Sequence, residues 1–375
     1  MIVAFRTDAS LQIGSGHVMR CLTLADELKK AGAKITFITR DHPGNLNQLI
    51  KNKGHNLKVL SPPSISDDFQ ADSVNPRSEY LKWLGVPELR DASETIAKLE
   101  KNKPSWLIVD HYGLGLEWEL ALRPHIEKLM VIDDLADRKH DCDYLLDQNF
   151  YLNRQNRYDD LVPPACTKLL GPEFALLRPE FAEARKTIKP RTGEIKRVFV
   201  FFGGSDRDNV TTKALEALSH PDLMHLEVDV VIGESNPHKG EIEALVKTRS
   251  NTFLHVQMAN MAELMARADL ALGAGGSTTW ERLCLGLPSL VISIAANQTP
   301  TNQALMEAGY ITFLGARDKV EVGDIISALR HCLTHPEELM LQSIEMQKLV
   351  PGTGAAQMAK TIFSQSINHV LTPAY

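Results

Sequence analysis

The chain has 375 residues, 43% of them apolar, which exceeds one ordinary hydrophobic core and suits two domains of common size. Its formal charge of −6 lacks the basic excess of nucleic-acid binders, and no apolar run is long enough to span a bilayer, which argues against nucleic acid as a partner and against membrane insertion. Five cysteines without paired metal spacing read as reduced thiols, and a start that enters a strand without an apolar leader places the expected location in the cytoplasm.

Ile2 to Arg6 reads as an opening strand, and the Gly14-Ser15-Gly16-His17 turn leads into a helix whose apolar residues recur from Val18 to Leu28 until Gly32 stops the run. His17 is therefore expected in a first helical turn. There the unpaired N–H groups and the helix dipole disfavour a second proton on the ring, leaving a neutral imidazole able to take a proton from water. Gly14 and Gly16 would let a substrate approach it closely, and Asp8, on the same loop, is the expected group to orient the ring. Arg20 joins the candidate substrate-binding residues. The turn lacks the Gly-Lys-Ser/Thr ending of a Walker loop, and Met19 replaces the third glycine of a dinucleotide fingerprint. Neither ATP nor NAD is expected, and no other cofactor is implied.

Strands at 33–39, 56–60, 106–110 and 129–133 alternate with helices at 46–53, 91–101 and 116–122, the pattern of a parallel sheet covered on both faces. Between Ser61 and Pro87 the periodicity disappears, which reads as a long excursion carrying Tyr80, a residue that could close over a substrate. His111, beside Asp110 and Tyr112, is expected to be structural, satisfied by its strand and the Asp133-Asp134 turn. Asp133, Asp134, Asp137, Arg138 and His140 form a polar segment of paired carboxylates, and no metal site is expected there.

A charged helical stretch over 179–196, broken at Pro190 and Gly193, marks the domain junction. Strands then restart at 198–202, 228–232, 253–256, 270–272 and 290–294. Ser205 follows the first of these and Ile232 ends the second, and both are taken as substrate-binding. After the fourth, Gly275-Gly276-Ser277-Thr278 opens a helix whose N–H groups would hold a diphosphate without metal or lysine, with Glu281 one turn on to accept from ribose hydroxyls. Asn297 and Gln298, at the same sheet end, would position the sugar or the water. The expected architecture is two doubly wound, Rossmann-like α/β domains facing a cleft, spanning 1–180 and 197–350. A helical tail over 351–375 packs back on one of them.

The segment from Gly273 to Gln298 resembles the nucleotide-binding signature of GT-B proteins, the superfamily that includes the MurG-type N-acetylglucosaminyltransferases. Phe5-Arg6-Thr7-Asp8, Ile13 to Cys21, Val109 to Tyr112, Ile132 to Arg138, Asp143 to Asn149, Gly171 to Arg178 and Phe202 to Asp206 resemble the PseG family, which hydrolyses UDP-2,4-diacetamido-2,4,6-trideoxy-β-L-altropyranose. The similarity runs to about Gly309. It implies a metal-independent, inverting hydrolase of a UDP-sugar, with His17 activating water and UDP leaving. Independently of it, two domains with self-contained cores need no partner to fold, so a monomer is expected. A GT-B glycosyltransferase and a non-catalytic nucleotide-sugar-binding protein are the alternatives.

Overall fold

The computed structural model describes residues 1–63, 78–99, 103–258 and 260–370. The chain forms two compact units, the first from Met1–Asn149, Asn153–Leu176 and the segment from Thr353, the second from Phe150–Leu152 and Leu177–Gly352.

The first unit runs β1 (Ile2–Thr7), α1 (Gly16–Lys30), β2 (Lys34–Arg40), α2 (Asn47–Asn52), β3 (Asn56–Leu60), α3 (Ser78–Leu84), α4 (Glu88–Lys98), β4 (Trp106–Asp110), α5 (Leu116–Leu122), β5 (Lys128–Ile132), β6 (Tyr144–Asp147) and β7 (Thr167–Leu170). Its seven strands are all parallel in the order β3-β2-β1-β4-β5-β6-β7. The second unit runs α6 (Pro179–Thr187), β8 (Arg197–Phe201), α7 (Val210–Leu218), β9 (Glu227–Ile232), α8 (Lys239–Thr248), β10 (Thr252–Val256), α9 (Met261–Arg267), β11 (Leu270–Ala274), α10 (Ser277–Cys284), β12 (Ser289–Ser293), α11 (Thr299–Glu307), β13 (Thr312–Ala316), α12 (Val322–Thr334) and α13 (Pro336–Leu349). Its parallel sheet is ordered β10-β9-β8-β11-β12-β13.

Both sheets are doubly wound, and the side chains show why. Along β1 and β4, Val3, Phe5, Trp106 and Ile108 pack with Leu22, Leu28 and Phe37 on one face, while Ala4, Leu107 and Val109 pack with Trp118 and Leu122 on the other. With both faces covered, the central strands are continuous apolar runs instead of alternating ones. α1 ends where the chain must turn left-handed at Gly32, whose φ is +97°.

Three strands are absent from the sequence reading: β6 and β7, of four residues each, and β13, whose apolar run is broken by Gly315. The Ser61–Pro87 excursion contains α3, and residues 64–77 lie outside the described residues. α6 belongs to the second unit, so the change of unit falls at residue 177, ahead of the expected 180–197 junction.

The chain ends in α14 (Gly354–Val370), which returns to the first unit and lies on α1. Met358 and Ile362 are buried there among Leu22, Leu24 and Ala25, so the tail is part of this core. Met358→Ala is expected to cost about 2–5 kcal/mol of stability. The check is a lower urea midpoint at unchanged slope.

Among the described residues no helix is long and apolar enough to cross a membrane.

Candidate active site

In the first unit, β1 pairs directly with β4, with Thr7 opposite Asp110, at the point where the strand order reverses. Open α/β sheets bind ligands beyond the carboxyl ends of their strands at such a point. The loop after β1 delivers His17 at the start of α1, and its Nδ1 lies 2.6 Å from Asp110 Oδ1. Burial opposes ionisation of Asp110, but Arg20 and then His17 outweigh it and hold the carboxyl well below the usual range. An ionised carboxylate can only accept, so in the neutral ring the proton sits on Nδ1 and the lone pair on Nε2. The His17 side chain is 9% exposed, enough for one ring edge to reach solvent. Tyr112 packs edge-on against the ring at 4.6 Å, and Tyr80 and Trp83 in turn pack on Tyr112 at 5.1 and 5.8 Å. Tyr80 thus shares an aromatic cluster with His17.

Two expectations need correction here. Asp8 does not orient His17. It accepts from Arg6 at 2.6 Å and from the Arg40 amide at 2.7 Å, within a buried ionic cluster that also joins Arg6 and Arg40 to Asp91. Burial opposes its ionisation, but Arg6 prevails and keeps its carboxyl well below the ordinary range. Each guanidinium nitrogen of Arg20 bonds a carboxylate. The side chain grips Asp110 with two bonds of 2.6 and 2.7 Å and reaches Asp134 with a third of 3.1 Å, so it braces the carboxylate that holds His17. His111 is structural as expected, but its partners differ: Gly113 N–H donates to Nδ1 at 3.0 Å and Asp8 lies 3.5 Å from Nε2. Burial pushes its pKa down to about 3 and keeps it neutral.

The carboxylates beside this site share protons in a defined order. Tyr158 Oη lies 3.1 Å from Asp133 Oδ2 and 3.0 Å from Asp147 Oδ2, and one hydroxyl hydrogen cannot serve two carboxylates. Despite burial, Arg138 and His140 hold Asp133 down, at about 2. Burial and then the charge of Asp134 push Asp147 up to about 8. Protonated Asp147 therefore donates to Tyr158, which donates to Asp133. With its folded pKa raised, Asp147 contributes stability that is full below its unfolded value of about 3.9 and is lost as pH rises to about 8. Asp147→Asn preserves the donor and removes the titration. Its stability relative to the parent is expected to rise across that window, at no more than about 1.4 kcal/mol per pH unit, which urea melts at pH 5 and pH 8 would measure.

In the second unit the loops after β8, β9, β11 and β12, neighbours in the sheet, carry the expected ligand-binding residues. Gly276 has φ +101° and starts α10, leaving the first N–H groups of Ser277 and Thr278 without helical acceptors. Gly276 and Ser277 are exposed. Gly275 is buried, and a Cβ there would come within 2.4 Å of Asn302, so its lack of a side chain serves packing. Asn302, absent from the sequence reading, donates to Ser293 Oγ at 2.9 Å. Gln298 Oε1 accepts from the Ile294 amide at 3.0 Å, which pins the loop and leaves Asn297 exposed. Ser205 is exposed after β8. Burial raises the pKa of Glu281 against the opposing charge of Arg178, 3.3 Å away. Ile232 is only 1% exposed at the end of β9, and its carbonyl accepts from the Gln257 amide, so its apolar side chain lies in the core instead of facing the loops that carry the other expected residues.

Residues 197–362 match the glycosyltransferase family 28 C-terminal domain. The chain aligns along 96–99% of its length with solved glycosyltransferase-type structures. It covers 99% of CalG4, the calicheamicin glycosyltransferase, with 16% identity and a TM-score of 0.62. It covers 99% of Acinetobacter baumannii MurG with 12% identity and a TM-score of 0.60. The fold is of the GT-B type. In sequence, the chain is 27% identical over 311 residues to the UDP-2,4-diacetamido-2,4,6-trideoxy-β-L-altropyranose hydrolase of Campylobacter jejuni, covering 83% of this chain and 98% of that one. It is also 27% identical over 300 residues to the uncharacterised protein MJ1062 of Methanocaldococcus jannaschii, where the match covers 78% of this chain and 55% of the relative. The resemblance to PseG-type hydrolases read from the motifs stands.

Proposed function

We propose that this enzyme hydrolyses UDP-2,4-diacetamido-2,4,6-trideoxy-β-L-altropyranose, a step of pseudaminic acid biosynthesis, as a metal-independent monomer in the cytoplasm. His17 Nε2 takes a proton from water as the water oxygen bonds to the anomeric carbon. The bond from that carbon to the diphosphate breaks, UDP departs with the electron pair, and the free sugar forms with inversion. Asp110 stabilises the imidazolium that results, and Arg20 keeps Asp110 ionised and in place. UDP is a good leaving group, so Gly276, Ser277 and Thr278 N–H groups need only spread its charge, with Ser205 as a further donor. Asn297, Gln298 and Tyr80 position the sugar and the water, and Glu281 accepts from the ribose.

The observation that carries this reading is the His17–Asp110 contact of 2.6 Å, within motifs similar to those of a hydrolase matched over 98% of its length. The family 28 match favours a second reading, a glycosyltransferase that replaces water with an acceptor hydroxyl. The experiment is to incubate the protein with the altrose nucleotide, with and without EDTA, and follow UDP and free sugar by NMR beside a UDP-GlcNAc control. Release of both products from the altrose nucleotide alone, indifferent to EDTA, is expected. Binding without release would favour the transferase.

A further inference from the structure

α12 and α13 meet at a corner that gathers three metal-ligating side chains, none used in the reaction above. His331 in the last turn of α12, His335 at the junction and Glu338 in the first turn of α13 each place one ligand atom within 4.8 Å of the others. His331 Nε2 is 3.0 Å from Glu338 Oε2, close to the edge length of a tetrahedral metal site with bonds of about 2.0–2.2 Å. The two imidazoles stack with centroids 4.0 Å apart and planes 21° apart, so one exposed ring must turn about its side-chain bonds for both in-plane lone pairs to meet one ion. His335 Nδ1 donates to the His331 carbonyl at 2.9 Å, which puts its proton on Nδ1 and its lone pair on Nε2. Metal-bound histidines are commonly oriented by this kind of outer hydrogen bond.

The corner is also firm. Cys332 and Leu339, each adjacent in sequence to one of the three, are buried in the core of the second unit, and α12 is capped reciprocally by Glu321 and Asp324. All three ligating side chains are at the surface or half-buried, so an ion can reach them.

We propose that His331, His335 and Glu338 bind one divalent transition metal ion of the zinc class. Two imidazole nitrogens and one carboxylate oxygen form a donor set suited to zinc, and water completes the coordination. On binding, His331 gives up the proton it shares with Glu338. The ion then clips the end of α12 to the start of α13, a structural role that leaves the hydrolysis metal-independent.

The test uses tag-free full-length protein stripped with EDTA and dialysed free of it, titrated calorimetrically with Zn²⁺ and by visible absorption with Co²⁺. Expected is saturable binding of one equivalent, with the absorption bands of four-coordinate Co²⁺ and a thermal midpoint that rises with Zn²⁺. His331→Ala and His335→Ala should each weaken binding about tenfold or more, and Glu338→Gln should weaken it likewise. Absence of saturable binding, or equal affinity in the parent and all three variants, would overturn the proposal. UDP release by the parent should be the same with and without Zn²⁺, so this result stands apart from the test of the hydrolase reading.

Discussion

Replacing His17 with asparagine is expected to lower kcat for nucleotide-sugar hydrolysis by about 10²–10⁴, the range for loss of a positioned general base. The argument rests on proton inventory. Asp110 is held ionised by Arg20, so Nδ1 of His17 must be the donor in their 2.6 Å contact and Nε2 the only basic atom of the ring. Asparagine can still donate to Asp110 through its amide, so the buried carboxylate stays partnered, but it carries no basic nitrogen. Affinity for UDP itself should be unchanged, because the N–H groups proposed to hold the diphosphate belong to Gly276, Ser277 and Thr278 in the second unit. Steady-state kinetics and UDP calorimetry on the same preparation separate the two effects. Undiminished kcat would remove His17 from the mechanism, whereas loss of UDP binding together with kcat would point to a folding defect.

Much of the fold was legible in the chain because buried parallel strands leave a coarse mark. Runs such as Trp106 to Asp110 and Leu290 to Ile294 are apolar throughout, and glycine turns separate them from helices with three-to-four-residue spacing. β7 and β13 left no such mark: they are only partly buried, and polar or glycine residues interrupt their apolar runs. The position of His17 at a helix start was also local information. Its partner was not. Asp110 lies 93 residues away, and only the pairing of β1 with β4 brings it to His17. Asp8, nine residues from His17, was the nearer choice along the chain but sits under a competing and stronger pull from Arg6 and the Arg40 amide. The sheet order supplies the missing signal, since Thr7 and Asp110 end adjacent strands in register. The partners of Arg20 were hidden for a related reason, as a basic residue one helical turn from His17 suits a phosphate and a buried carboxylate equally well in one dimension.

Asp110→Asn should cause the second large loss, and in stability as well as turnover. The wild-type carboxylate accepts from His17 and twice from Arg20, all with little or no exposure. An amide of the same shape keeps one acceptor oxygen and turns an N–H₂ group toward a guanidinium that has nothing to accept with, so Arg20 loses one of its two bonds to residue 110 and keeps the other and its 3.1 Å bond to Asp134. Breaking a buried ion pair from one side costs about 3–5 kcal/mol. Turnover should fall by on the order of 10²–10⁴, since the ring loses both its tautomer lock and the charge that stabilises the imidazolium. The pH dependence identifies the cause. Asp110 has a folded pKa below its unfolded value of about 3.9, so its contribution is fully present above that value and is lost as pH falls through the folded pKa. The stability gap between parent and variant, measured by urea unfolding from pH 7 downward, is therefore expected to hold steady to about pH 5 and then narrow with acidification. A gap that stayed constant into acid would mean that packing, not charge, ties Asp110 to Arg20 and His17.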